Sequence, residues 1–258
     1  MDILKDKVAF ITGADSGIGR SIAIAFAKEG AHVGICYHSD KDGALETQTK
    51  AEEFGVKTKV YKIDVGDEEQ VNKSLDKVIA DLGGLDILVN NAGINGSNIP
   101  VAEMETKTFD LCIKTNLYGP FFACRKFLQY LDKEGKKGKI INISSIHEEI
   151  ATPGNADYNA SKGALRNFTR SLALEVAEKG INVNNIAPGM ILTPMNQKAI
   201  DDKKKLKEAT SHIPARRAGQ PEEVAQVALF LASSAADYVT GSTYAIDGGL
   251  MINLGQGA

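Results

Sequence analysis

Short apolar runs alternate with longer stretches of roughly fourfold periodicity from residue 7 almost to the C-terminus. The runs K-V-A-F-I-T (7–12), H-V-G-I-C-Y (32–37), K-V-Y-K-I-D (59–64), L-D-I-L-V-N (85–90), K-I-I-N-I-S (139–144), I-N-V-N-N-I (181–186) and S-T-Y-A-I-D (242–247) read as strands. Several are apolar almost throughout, which suits strands covered on both faces and hence a parallel sheet. Between them lie segments long enough for crossover helices: 17–29, 41–54, 67–82, 103–132, 157–179 and 221–233. In the first, Ile18, Ile22 and Phe26 recur every fourth residue and put an apolar stripe against the sheet. The third opens on D-E-E and the last on P-E-E, acids or proline where a helix N-terminus favours them.

Seven strands with six crossovers predict one α/β domain over 1–258, a doubly wound, Rossmann-type parallel sheet flanked by helices. No linker or internal repeat divides it. The rhythm breaks at about 190–215, a long segment of mixed charge between the sixth strand and the last helix. A segment there overhangs the C-terminal edge of the sheet and is expected to be a substrate lid, with a plain surface insertion as the alternative.

Composition changes this picture little and mainly excludes. With 43% hydrophobic and 24% charged residues the chain has the make-up of an ordinary globule able to bury a large core. A net charge of −3 gives no reason to expect nucleic acid or an anionic membrane as partner, and K-K-K-L-K (203–207) reads as a solvated helix face. Cys36, Cys112 and Cys124 are far apart and odd in number, which favours reduced, buried thiols in a cytoplasmic protein over a disulfide frame. The four histidines form no zinc pattern, since His147-Glu148-Glu149 has the wrong spacing. The N-terminus lacks the apolar core of a signal peptide, and no apolar run is long enough for a membrane span.

Two stretches carry chemistry. T-G-A-D-S-G-I-G (12–19) follows the first strand directly, and a glycine-rich strand-to-helix turn lets backbone approach a pyrophosphate at a helix N-terminus. The spacing is neither G-x-G-x-x-G nor a Walker pattern, and a mere tight turn is the plainer alternative. In Y-N-A-S-K (158–162) a tyrosine and a lysine four apart share a helix face, where the ammonium favours the phenolate. Alone, that pair is unremarkable.

Taken together with N-N-A-G (90–93), Asn116 in K-T-N-L-Y-G-P, Ser145 after the fifth strand and P-G (188–189), these motifs resemble the short-chain dehydrogenase/reductase family from about residue 6 to the end. The resemblance implies an NAD(P)-dependent oxidoreductase with Tyr158 as general acid/base, Lys162 lowering its pKa and holding the nicotinamide ribose, Ser145 bonding the substrate oxygen, and Asn116 relaying toward Lys162. A buried Asn at a kink before Pro120 is the alternative for Asn116, and a locally bonded hydroxyl is the expectation for Ser144.

By the same resemblance the cofactor lies against Gly13, Asp15, Ser16, Gly17, Ile18 and Gly19 of the first turn, and Tyr37, His38 and Ser39 after the second strand. It continues along Asp64, Val65, Asn91, Ala92 and Gly93, then Pro188, Gly189, Ile191 and Thr193. Asn90 and Asn91 are expected mainly to fix neighbouring strands. Tyr37 stands where NAD enzymes carry an acid, and His38 and Ser39 can donate to a phosphate, which favours NADP or dual use over strict NAD; Asp15 argues the other way.

S-S-I-H-E (144–148), P-G-M-I-L-T-P-M-N (188–196) and the segments 213–223 and 238–249 look like the glucose 1-dehydrogenase branch. Asn95, Ser145, His147, Glu148, Tyr158 and Asn196 would then line a polar pocket for a sugar or polyol. G-I-N-G-S after N-N-A-G departs from that branch, where a glutamate is common. A carbonyl reductase of acyl-carrier thioesters and a non-catalytic nucleotide-binding regulator are the rival readings. The resemblance also implies a homotetramer built on the long helices at 103–132 and 157–179, with the tail near a subunit contact.

Overall fold

The computed structural model describes residues 3–194 and 201–253. Seven strands, β1 (Val8–Ile11), β2 (His32–Tyr37), β3 (Thr58–Lys62), β4 (Ile87–Asn90), β5 (Lys139–Ile143), β6 (Asn182–Pro188) and β7 (Thr243–Ile246), form one sheet. Its order is β3-β2-β1-β4-β5-β6-β7, and every pairing is parallel. The crossovers are α1 (Gly17–Lys28), α2 (Lys41–Glu52), α3 (Glu68–Leu82), α4 (Thr106–Ile113), α5 (Gly119–Glu134), α6 (Ala156–Val176) and α8 (Pro221–Ala232), with α7 (Lys203–Ser211) inside the segment 190–215.

Both faces of the strands are covered, which is why their runs are apolar without alternation. Ala9 and Ile11 of β1 face a core shared with Ile22 and Phe26 of α1 and with Val224 and Leu231 of α8. Val8 and Phe10 face the other side, against Leu75 of α3, Phe127 of α5 and Leu172 of α6. The α1 stripe lies as its spacing predicts, with Ile22 and Phe26 fully buried and Ile18 packed at the margin. The charged helix starts also act as expected: Asp67 accepts from Gln70 N at 3.1 Å, and Gln220 and Glu223 form a reciprocal capping box at α8.

One predicted element differs. The expected single helix 103–132 is α4 and α5 joined by a π turn at Lys114–Tyr118. Pro120 has no N–H to give the Asn116 carbonyl, and the Gly119 N–H instead reaches back five residues to Lys114 O. The widened turn delivers Asn116 inward. In the middle of the sheet, strand order reverses between β1 and β4, and the crevice beyond their C-terminal ends is where open α/β sheets take ligands.

Candidate active site

The crevice begins with the turn after β1. Gly13 and Gly17 hold left-handed φ of +61° and +53°, and a Cβ on Gly19 would stand 2.2 Å from Gly13 O, so a side chain there would break the turn. Ser16 precedes α1 without a side-chain cap bond, leaving the first-turn N–H groups for an anion. The N-N-A-G run ties β4 to this turn: Asn91 Nδ2 donates to Thr12 O (2.9 Å) and Gly13 O (2.8 Å), and the Asn91 and Ala92 N–H groups each donate to Thr12 Oγ1 at 3.0 Å. Asn90 Nδ2 donates to Asn142 Oδ1 at 2.8 Å, and Asn142 Nδ2 to Thr169 Oγ1 at 2.9 Å. These asparagines fix strands, as their positions suggest.

Ser145 follows β5, and its Oγ accepts from His147 N at 3.2 Å and is hydrogen-bonded to the hydroxyl of Tyr158 from the first turn of α6. Lys162, one turn on, is buried with Nζ 5.6 Å from the Tyr158 ring centroid, and it donates to Ile143 O at 3.0 Å. Burial pulls the Lys162 ammonium down to about 8, against the Cys112 sulfur and the Glu148 carboxylate, which push it up. Tyr158 lies above its ordinary value because burial outweighs the Ser145 hydrogen bond. The expected lowering of the phenol by the lysine is thus not the balance in the protein alone: both partners are desolvated, and each favours its neutral form.

Asn116 sits behind this pair rather than against the lysine. Its Oδ1 accepts from Ile94 N at 2.8 Å, and its Nδ2 donates to Ile94 O (3.0 Å) and Ser161 Oγ (3.1 Å). Gly93 lies between: a Cβ there would be 3.1 Å from Asn116 Oδ1 and 3.6 Å from Lys162 Nζ. Ser144 also borders the cleft, and its hydroxyl is locally bonded, donating to Lys162 O at 3.4 Å and bonding Glu148.

A cleft of about 630 Å³ joins the parts. Of the expected residues it brings together Gly13, Asp15, Ser16, Gly17, Ile18, Asn91, Ala92, Gly93, Asn95, Ser145, His147, Tyr158, Lys162, Pro188, Gly189, Ile191 and Thr193. The His147 ring stands edge-on to Tyr158 at 5.9 Å, held by Nδ1 against Ile150 O at 3.0 Å. Glu148 is a correction. Its side chain is 1% exposed and turned from the cleft onto Asn185 Nδ2 (2.5 Å) and Arg166 Nε (3.4 Å), and burial raises its pKa. Asn196 lies outside the described residues. The cleft also uses Asn98, Thr152, Asn155, Met190 and Leu250, which the sequence reading missed. The T-P-G-N-A-D turn just before Tyr158 was the available signal for two of them.

Comparisons with known proteins decide the family. The family model described as enoyl-(acyl carrier protein) reductase matches residues 13–251. The chain is 40% identical to glucose 1-dehydrogenase 2 of Bacillus subtilis over 251 residues, 96% of each protein. The chain belongs to the short-chain dehydrogenase/reductase family. It is also similar to a 3-oxoacyl-[acyl-carrier-protein] reductase of Thermotoga maritima, 41% identical over 96% of this chain and 99% of the relative. A gluconate 5-dehydrogenase of Burkholderia cenocepacia, solved in complex with NADP and tartrate, superposes with a TM-score of 0.89 at 35% identity, covering 97% of each chain. This short-chain dehydrogenase/reductase is therefore an enzyme of the nicotinamide-dependent kind, which sets aside the non-catalytic regulator.

In this dehydrogenase/reductase the expected adenosine-side residues do not line the 630 Å³ cleft. Tyr37 packs into the α1-side core and Val65 into the other, while His38, Ser39 and Asp64 are exposed. Asp64 Oδ1 accepts from Gly66 N at 2.8 Å. Arg20 is engaged by Asp15 O (2.6 Å), Gly43 O (3.1 Å) and Glu46 (2.8 Å). Burial and the Asp40 carboxylate raise the pKa of Asp15. Among the described residues no helix is long and apolar enough to cross a membrane, and no group of acids, cysteines and histidines could hold a metal ion.

Proposed function

We propose that this short-chain dehydrogenase/reductase interconverts a secondary or anomeric hydroxyl of a sugar or polyol with the corresponding carbonyl. The observation that carries the reading is the polar wall beside the Ser145–Tyr158 pair: Asn95, Asn98, Thr152, Asn155 and His147 share the cleft with it. Sugar hydroxyls entering a buried site need that many partners, because each unpaired one costs free energy. The similarity to glucose 1-dehydrogenase 2 and to a gluconate 5-dehydrogenase supports the same class.

The residues suit a dinucleotide. The glycines let the turn pack tightly on Ala92 and Asn91 with its backbone bare of side chains, and the uncapped start of α1 offers N–H groups to phosphates. Pro188, Gly189 and Thr193 would close the nicotinamide side, and Lys162 has donors beyond the one given to Ile143 O. When bound, the nicotinamide gives or takes the hydride. Tyr158 moves the proton at the substrate oxygen, and Ser145 steadies the charge that changes there. Lys162 carries the cation that makes a phenolate accessible, and Asn116 acts behind it through the Ile94 backbone and Ser161. NADP or dual use remains the cofactor reading, on Tyr37, His38 and Ser39.

The segment 190–215, of which 195–200 lie outside the described residues, would act as the lid: Ile191 pairs with Gly219 at its base, and Thr193 Cγ2 lies 3.2 Å from where a Gly17 Cβ would stand. A homotetramer would cover Leu111, Tyr118, Phe121 and Leu174, exposed on α4 to α6, and sedimentation velocity checks it. A cytoplasmic location belongs to the same reading, and fractionation of cells checks it.

The second reading is a reductase of 3-oxoacyl thioesters, favoured by Ile94, Ile146, Met190 and Leu250 on the remaining cleft wall and by the Thermotoga maritima relative. One assay separates them: NADPH or NADH formation with D-glucose, gluconate and other polyols, against NADPH consumption with an acetoacetyl thioester. Turnover confined to the thioester sinks the sugar reading.

A further inference from the structure

We propose that Asp157 is a positioning residue that clasps the 95–98 loop to the first turn of α6, holding the substrate wall in register with the backbone of Tyr158. The proposal rests on the reading that substrate meets that wall. Asp157 is 1% exposed, and a buried carboxylate persists only where donors meet it. Its two oxygens serve different segments: Oδ1 accepts from Tyr158 N at 2.8 Å, and Oδ2 accepts from Ser97 N at 3.2 Å. One side chain thus joins the general acid/base to the loop that carries Asn95 and Asn98.

Asn155, at the N-cap of α6, strengthens the point by what it does not do. It makes no side-chain cap bond to its own helix. Instead its Oδ1 accepts from Asn98 N and its Nδ2 donates to Asn98 Oδ1, both at 3.3 Å. A residue type suited to capping is directed at the loop. The loop is shaped to match. A Cβ on Gly96 would lie 2.2 Å from Asn155 Oδ1, and Asn98 holds a left-handed φ of 57°, uncommon outside glycine. Ser97 Oγ is buried without a hydrogen-bond partner, so within the clasp Ser97 is held through its backbone N–H. The polar groups of the wall inherit their positions from these bonds, and a shift of about 1 Å in such groups is costly for binding and turnover.

The test uses the full chain with NADP and three variants: Asp157→Ala, Asp157→Asn, which keeps one acceptor oxygen, and Gly96→Ala, which displaces Asn155 without altering Asp157 or Tyr158. Amide exchange over 94–99 reads the clasp directly. KM for D-glucose, or for an acetoacetyl thioester if that is the compound turned over, reads its consequence, and NADPH fluorescence reads cofactor affinity. Exchange and KM are expected to rise about tenfold or more in Asp157→Ala and Gly96→Ala, less in Asp157→Asn, with the NADPH Kd within about twofold of wild type. Unchanged exchange and KM in a folded Asp157→Ala or Gly96→Ala overturns the clasp. So does a parallel rise in KM and NADPH Kd, which would mark a general loss of packing. Should Asp157→Ala not fold, Gly96→Ala and Asp157→Asn carry the test. Failure of the unmodified enzyme to turn over either compound would sink the proposed function, and the exchange rates alone would then decide the clasp.

Discussion

The two walls of the cleft are built by opposite means. The wall after β1 is defined by missing side chains: Gly13 and Gly17 take left-handed backbone, and Gly19 lies where a Cβ would strike Gly13 O. The facing wall, from the 95–98 loop and the start of α6, is defined by added ones, with Asn155 and Asp157 reaching backbone groups across the gap. A steric wall admits any ligand that presents phosphate to backbone. A hydrogen-bonded wall can be rewritten one polar residue at a time. On the proposed reading, the contrast would let one scaffold keep a cofactor site while its substrate wall varies, as the names of relatives for glucose and for acyl thioesters suggest.

Removing the phenol is the sharpest break. Tyr158→Phe is expected to lower kcat by about 10²–10⁴-fold, while NADPH affinity measured by fluorescence changes less than about twofold. The steric wall should fail differently. Gly19→Ala forces Gly13 O or the Asn91 amide to move, and calorimetric titration should show NADPH affinity reduced by about tenfold or more.

Two buried charges give smaller, pH-dependent effects on the second wall's side of the cleft. Lys162 falls to about 8 from an ordinary 10.5, so between those values the unfolded chain holds a proton that the folded chain has lost. Stability therefore gains a favourable contribution as pH rises through that window, and thermal melts of Lys162→Met against wild type should show the gain disappear. Glu148 has the opposite sign. Burial raises it above 4.5, so the folded chain keeps a proton the unfolded one releases, and this contribution falls as pH rises through the ordinary value. Melts of Glu148→Gln from pH 4 to 7 should lose that decline, with the pH range itself being about the span of carboxylate titration. The smallest effect is expected far from either wall. Glu223 is exposed and held down to about 2 by Arg217, and Glu223→Gln should shift Tm by no more than about 2 °C in a melt.

What could be read from the chain follows the same division. Strands covered on both faces announce themselves as apolar runs, and the glycine turn and the Tyr158–Lys162 spacing are local patterns, so the sheet, the crevice and the meeting of Tyr158 with Lys162 in it were legible. The break at Lys114–Tyr118 was half visible, because Asn116 and Pro120 weaken an α-helix but do not say that the turn widens. Glu148 and Asp157 were not separable by sequence. One acid points into the fold and the other across to a loop 60 residues earlier, and only the packing of β6, α6 and the 95–98 loop decides which. The expected lowering of the tyrosine by the lysine is outweighed by burial in the protein alone for a similar reason, since desolvation depends on depth and not on spacing.

The three cysteines bear on handling. All are buried and unbridged, and burial lifts their thiols, Cys124 to about 12. Thiolate is the reactive species in alkylation and peroxide oxidation. Native enzyme should thus tolerate maleimide and air without reductant, and a single cysteine introduced on the surface would take a spectroscopic label against almost no background.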